Sequence, residues 1–177
     1  MSRKKYYALQ IRTRYEDSFI ARYKKEADSS GITLYFPKRE LRERKNQKTR
    51  VRLHPVFSGY VFLEMEEEDD VIKYKAGLEK TDGFFRFLHS NTNIAEITDR
   101  DLDIILRFLK LKDATAGMST VMFNENNRIT VIDGPLKELE GNIVKIDRRK
   151  ERAKVRLDLY EDSFLVDLSF HVLERQR

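Results

Sequence analysis

The chain has 177 residues, 37% of them charged and 40% hydrophobic, with a net charge of +5. It contains no cysteine, which excludes disulfides and thiolate metal sites. The charged fraction is well above the usual quarter, so cores must be small, and two modest domains are favoured over one large one.

Further classes drop out on local pattern. No window approaches the roughly 18 consecutive apolar residues of a membrane span. The basic start from Met1 and Ser2 to Lys5 is followed by no apolar signal-peptide segment. A soluble, cytoplasmic protein with no membrane partner is expected. His54, His89 and His171 are scattered without ligand spacing, and acidic pairs such as Asp69-Asp70 and Asp101/Asp103 fit a solvated run and a helix N-terminus. No metal and no cofactor is expected. The glycines are too scattered for a phosphate cradle, and there is no His-Glu-x-x-His or nucleophile elbow. The chain does not read as an enzyme.

In chain order, Tyr6 to Ile11 alternates as a strand with Tyr7, Leu9 and Ile11 on one face. Phe19, Ile20, Tyr23 and Ala27 recur at helical spacing, and Gly31 follows as a C-cap candidate. Ile32 to Phe36 is a β-branched and aromatic strand closed by Pro37. Residues 38–52 hold eight basic residues against Glu40 and Glu43, with few apolar ones, and predict an exposed hairpin or loop. Val56 to Met65 is the strongest buried strand. The acidic run Glu66 to Asp70 leads into a short helix or turn at Val71 to Tyr74, and Gly83 to Leu88 is another strand. Thr98 and Asp101 resemble a capping box, after which Leu102, Ile105, Leu106 and Leu109 form a helical stripe. The order β-α-β-β-β-α predicts a ferredoxin-like α/β sandwich over residues 1–112.

Residues 113–121 are small and polar and read as a linker. Beyond them the period changes to two. Val155, Leu157 and Leu159 alternate with charged residues, as do Phe164, Val166 and Leu168 with their neighbours, so residues 122–177 fit a small barrel. Gly141 marks a position needing a left-handed backbone or a close approach. Residues 145–156 form a second basic block, seven basic residues against Asp147 and Glu151. Two basic blocks and one acidic run imply at least two contact surfaces.

Asp133-Gly134-Pro135 and Gly141 resemble a KOW motif, the core of an SH3-like β-barrel. Phe57-Ser58-Gly59-Tyr60 is similar to the Phe-Pro-Gly-Tyr hallmark of the NusG N-terminal domain, and Tyr6-Tyr7 to its Trp-Tyr opening. Together, in order and over nearly the whole chain, these resemble the NusG family of transcription elongation factors. The resemblance implies that Tyr6, Tyr7, Phe57, Tyr60 and Phe84 dock on the clamp helices of RNA polymerase. It also implies that Lys73, Tyr74 and Lys75 reach its gate loop, holding the clamp closed. The family's Phe-Gly-Arg turn is here Tyr160-Glu161-Asp162, which puts contacts with a ribosomal protein and a termination factor in doubt. With Ser58 and Tyr6, this makes the chain most similar to a specialised LoaP-type antitermination paralogue.

Such a paralogue must find its operons. Lys145, Arg148, Arg149, Lys150, Arg152, Lys154 and Arg156 are candidates for binding a structured nascent leader RNA. Arg42, Arg44, Lys45, Lys48 and Arg50 are candidates for sequence-independent contact with upstream or non-template DNA. A monomer is expected. The alternatives are the general elongation factor of the family, coupling polymerase to ribosome or termination factor, and a ribosome-associated KOW RNA-binding protein. A C-terminal domain that switches between helical and barrel folds is disfavoured by its period-two pattern.

Overall fold

The computed structural model describes residues 3–27, 30–45, 48–88, 90–160 and 162–173. Met1, Ser2, His89 and Glu161 lie outside the described residues, as does the side chain of Lys45. By contact the chain divides into two compact units, residues 1–36 with 57–103, and residues 37–56 with 104–177.

The first unit is a four-stranded antiparallel sheet carrying helices. Its elements are β1 (Lys4–Ile11), α1 (Glu16–Glu26) and β2 (Ile32–Tyr35). After the excursion of β3 (Lys38–Lys45) and β4 (Lys48–Pro55) come β5 (Tyr60–Glu66), α2 (Ile72–Lys80) and β6 (Phe84–Phe87). The strand order is β2-β5-β1-β6. With the hairpin set aside, this is β-α-β-β-α-β, the ferredoxin-like sandwich. Leu9 lies between Val61 of β5 and Phe87 of β6, and Leu34 faces Leu63. Phe19 and Tyr23 of α1 and Tyr74 and Leu78 of α2 bury against these residues. Tyr6 to Leu9 and Tyr60 to Leu63 are buried without a break. The centre of the sheet is therefore covered on both faces, so strict alternation is lost there.

Three details depart from the sequence pattern. The short helix or turn expected at Val71–Tyr74 extends as the nine-residue helix α2. In α3 (Asp99–Leu109) the buried stripe is Ile104, Ile105, Phe108 and Leu109, displaced from the expected one toward the aromatic. Gly31 does not cap α1, whose C-cap is Ala27. Gly31 instead turns the chain into β2 at φ 98°, where a Cβ would lie 2.4 Å from the Tyr74 hydroxyl.

The second unit contains α3's C-terminal half, β7 (Thr115–Ala116), β8 (Ser119–Phe123), β9 (Ile129–Asp133), β10 (Ile143–Asp147), β11 (Arg152–Leu159) and β12 (Asp162–Val172). Five strands, in the order β10-β11-β12-β8-β9, curl into a small SH3-like barrel. Ala153, Val155, Leu157 and Leu159 face inward from β11, and Val166, Leu168 and Phe170 from β12. The stretch expected as a linker holds β7, which pairs in parallel with β3 at Lys38↔Thr115 and Arg39↔Ala116. The basic block 38–52 is a hairpin with eight-residue arms.

The motif glycines have unequal roles. Gly134 stands at φ 98°, and a Cβ there would fall 2.6 Å from the Ser119 Cα, while Ser119 Oγ accepts the Leu136 N–H at 2.9 Å. This is the left-handed close approach expected at Gly141. Gly141 itself has open space around it and an ordinary backbone.

Candidate functional site

The first unit presents a concavity of about 510 Å³ between the ends of β1, β5 and β6. Gly59 forms its rim at φ 84°. Its carbonyl accepts the Ile11 N–H at 2.8 Å, and its own N–H donates at 2.7 Å to the carboxylate of Glu16, buried at the start of α1. Glu16 therefore positions the Ser58–Gly59 turn. Removing its acceptor would leave a buried N–H without its bond, a cost of about 1–3 kcal/mol.

The aromatic candidates divide. Phe57 is 0% exposed, its ring edge-on to Phe62 at 5.6 Å. Tyr6 and Tyr7 are buried, and burial with a hydrogen bond to Glu64 (2.9 Å) pushes the Tyr6 hydroxyl pKa well up. Tyr60 is buried but holds its hydroxyl in the concavity, accepting from Gln10 Nε2 at 2.8 Å. Phe84 is half-buried and packs 5.4 Å from Phe87. The residue that motif reasoning missed is Phe85, 69% exposed on the concavity wall. The β1–β6 register slips between Gln10 and Ile11, so that Gln10 faces Arg86 and Ile11 faces Phe84. Phe85 is the extra residue of this bulge and is turned outward. On α2, Tyr74 belongs to the core and donates to the Ser30 carbonyl at 3.1 Å. Lys73 is exposed beside Asp69 (3.8 Å), and Lys75 lies 3.8 Å from Glu79.

The second unit brings both basic blocks together. The β10–β11 loop is a four-residue turn, Arg148 to Glu151, closed by Glu151 at φ 52°. Asp147 Oδ1 accepts the Lys150 N–H at 2.9 Å, and that bond holds the Asp147 carboxyl below the usual carboxylate range. Lys145, Arg148, Arg149, Lys150 and Arg156 are exposed. Several are engaged within the unit. Arg148 sits over the Phe123 ring at 3.8 Å and donates to Asn127, Lys154 pairs with Asp167 at 2.9 Å, and Arg156 is 3.7 Å from Asp158. Arg149 stands outward at the tip.

On the β3–β4 hairpin, Arg42, Arg44, Lys48 and Arg50 are exposed. Arg42 reaches Glu151 at 3.1 Å, a surface pair of about 0–1 kcal/mol. Arg152 Nη2 donates to the Arg42 carbonyl at 2.6 Å, and Ser169 Oγ to the Glu40 carbonyl at 2.9 Å. Beneath them, burial pulls the Arg39 guanidinium pKa down, partly offset by Asp167. Among the described residues the buried Nε atoms of Arg39 and Arg152 have no hydrogen-bond partner. No cluster of three or more His, Asp or Glu among the described residues could hold a metal, and no helix there is long and apolar enough to cross a membrane.

Residues 4–106 match the family model described as NusG, transcription termination factor. The chain belongs to the NusG family. It is 25% identical to the transcription termination/antitermination protein NusG of Bacillus subtilis, over 97% of this chain and 98% of the relative. The NusG of Vibrio cholerae is also 25% identical, over 98% of this chain and 96% of its own. A solved structure of Thermotoga maritima NusG, described for its domain interaction, shares the fold with a TM-score of 0.60, at 20% identity over 94% of each chain. The chain is thus a NusG-type transcription termination/antitermination factor.

Proposed function

We propose that this NusG-family chain is a specialised, LoaP-type antitermination factor, cytoplasmic, monomeric and non-catalytic. Its N-terminal domain docks on RNA polymerase, and its KOW barrel binds a structured leader in nascent RNA. The observation that carries the RNA reading is the β10–β11 turn. Arg149 and Lys150 are exposed on it, and the backbone there is fixed by its own turn bonds, presenting cationic groups outward at little conformational cost.

The polymerase reading rests on the concavity at Gly59. Tyr60, Phe84 and the bulged Phe85 form its apolar part, and Phe57, Tyr6 and Tyr7 support it from inside the fold. Lys73 and Lys75 are the groups available for a second polymerase contact. Tyr160-Glu161-Asp162 supports the specialised paralogue over the general factor, because it exchanges a cationic turn for an acidic one. In Arg149→Gln/Lys150→Gln, affinity for the leader RNA should fall about tenfold, with polymerase binding unchanged. Full-strength RNA binding by that variant, in a fluorescence-anisotropy titration, would overturn the RNA reading.

A further inference from the structure

Arg42 and Arg44 of the β3–β4 hairpin, and Arg149, Lys150 and Arg152 of the β10–β11 turn, line one groove of about 680 Å³. Glu43 and Glu151 are its two carboxylates, leaving five cationic groups against two anionic ones. Sequence separates the groups by more than a hundred positions, and two adjacent residues of β12 bring them together. Ser169 donates to the Glu40 carbonyl on one arm at 2.9 Å, and the Phe170 N–H donates to the Glu151 carbonyl on the other at 2.9 Å. Arg152 crosses between them to the Arg42 carbonyl. The spacing of the arms is therefore set by hydrogen bonds to one strand, not by long flexible side chains.

The lining also selects the form of the ligand. Single-stranded nucleic acid is held by aromatic faces on which bases stack. Among the described residues the groove has none, and the face of Phe123 is covered by Arg148. Cations without stacking platforms suit a double helix gripped by its phosphates.

We infer that the β3–β4 hairpin and the β10–β11 turn are the two arms of one phosphate-backbone clamp for a double-helical RNA segment. This rests on the reading that the turn binds RNA, and it reassigns Arg42 and Arg44 from DNA to that same RNA. In the empty groove Arg42 pairs with Glu151, and an RNA phosphate takes the carboxylate's place on Arg42 while the arms keep their spacing.

The test is a salt series of anisotropy titrations on the full chain with an RNA stem-loop, its single-stranded counterpart and a DNA duplex of the same sequence. Arg42→Gln/Arg44→Gln should weaken stem-loop binding about tenfold and lower the salt slope by about two, as should Arg149→Gln/Lys150→Gln. Arg42→Lys/Arg44→Lys should restore most of the affinity, which a merely misfolded hairpin would not allow. If only the turn variant loses affinity, the clamp is overturned and the RNA reading of the turn survives. If neither does, both fail. Equal binding of the single strand would overturn the duplex assignment, and tighter binding of the DNA duplex would return the groove to DNA.

Discussion

The two units use their characteristic residues in opposite ways. In the first, the rings that family resemblance marks for partner contact lie largely inside, with Phe57 fully buried and Tyr6, Tyr7 and Tyr74 in the core. In the second, the basic residues marked for nucleic acid remain largely at the surface. The difference follows from solvation. A phenylalanine gains by burial wherever the fold has room for it, so motif position alone does not say whether it serves the core or a partner. A guanidinium or ammonium group is costly to bury unpaired, so a basic cluster stays near water and remains available.

The comparison can be broken most directly at Phe57 and Phe85. Phe57→Ala should destabilise the first unit by about 3–5 kcal/mol, because the cavity left beside Phe62 is enclosed. Phe85→Ala should change stability by no more than about 0.5 kcal/mol, yet weaken polymerase binding by about tenfold or more. Urea unfolding and a polymerase pull-down separate the two. Equal stability losses would mean that the bulge does not turn Phe85 out to solvent.

The motif glycines sharpen the same lesson in the second unit. Gly134→Ala places a Cβ against the Ser119 backbone at left-handed φ and should cost about 1–3 kcal/mol in thermal or urea unfolding. Gly141→Ala meets nothing within 4 Å and should lie within about 0.5 kcal/mol of the wild type. A reversed order would show that the turn after Val131-Ile132-Asp133 is built differently.

What could be read in the sequence depended on whether one residue and its near neighbours settled the outcome. The alternation of Val155, Leu157 and Leu159 predicted β11 because one face is buried and the other is wet. The ferredoxin-like order was legible for the same reason, apart from the length of α2, whose charged face and acidic lead-in made only a short helix or turn legible. The Phe85 bulge was not legible, since a register slip belongs to a pair of strands rather than to one. Nor was the meeting of the basic blocks, which depends on Ser169 and Phe170 contacting residues far back in the chain. Glu16 escaped notice because a carboxylate at a helix start has an adequate local explanation. Its real partner, the Gly59 N–H, is 43 positions away.

The smallest expected effect is also the one that tests whether the RNA-binding turn is preformed. The low pKa of Asp147 owes most to the Lys150 N–H that its carboxylate accepts, with the neighbouring cations adding less. A depressed folded-state pKa means that the ionised carboxylate stabilises the turn at every pH above the ordinary aspartate value. The contribution is lost as pH falls through the lower, folded-state value. The Lys150 amide resonance should therefore hold its position from neutral pH to below about 3.9, the ordinary aspartate value, and move only beneath it. Asp147→Asn keeps an acceptor oxygen, so the amide should stay bonded and lose the titration. A midpoint at or above the ordinary value in the unliganded protein would mean that the turn is not held in advance. Nucleic acid would then have to order it, at a cost that the ready-made arrangement of Arg149 and Lys150 avoids.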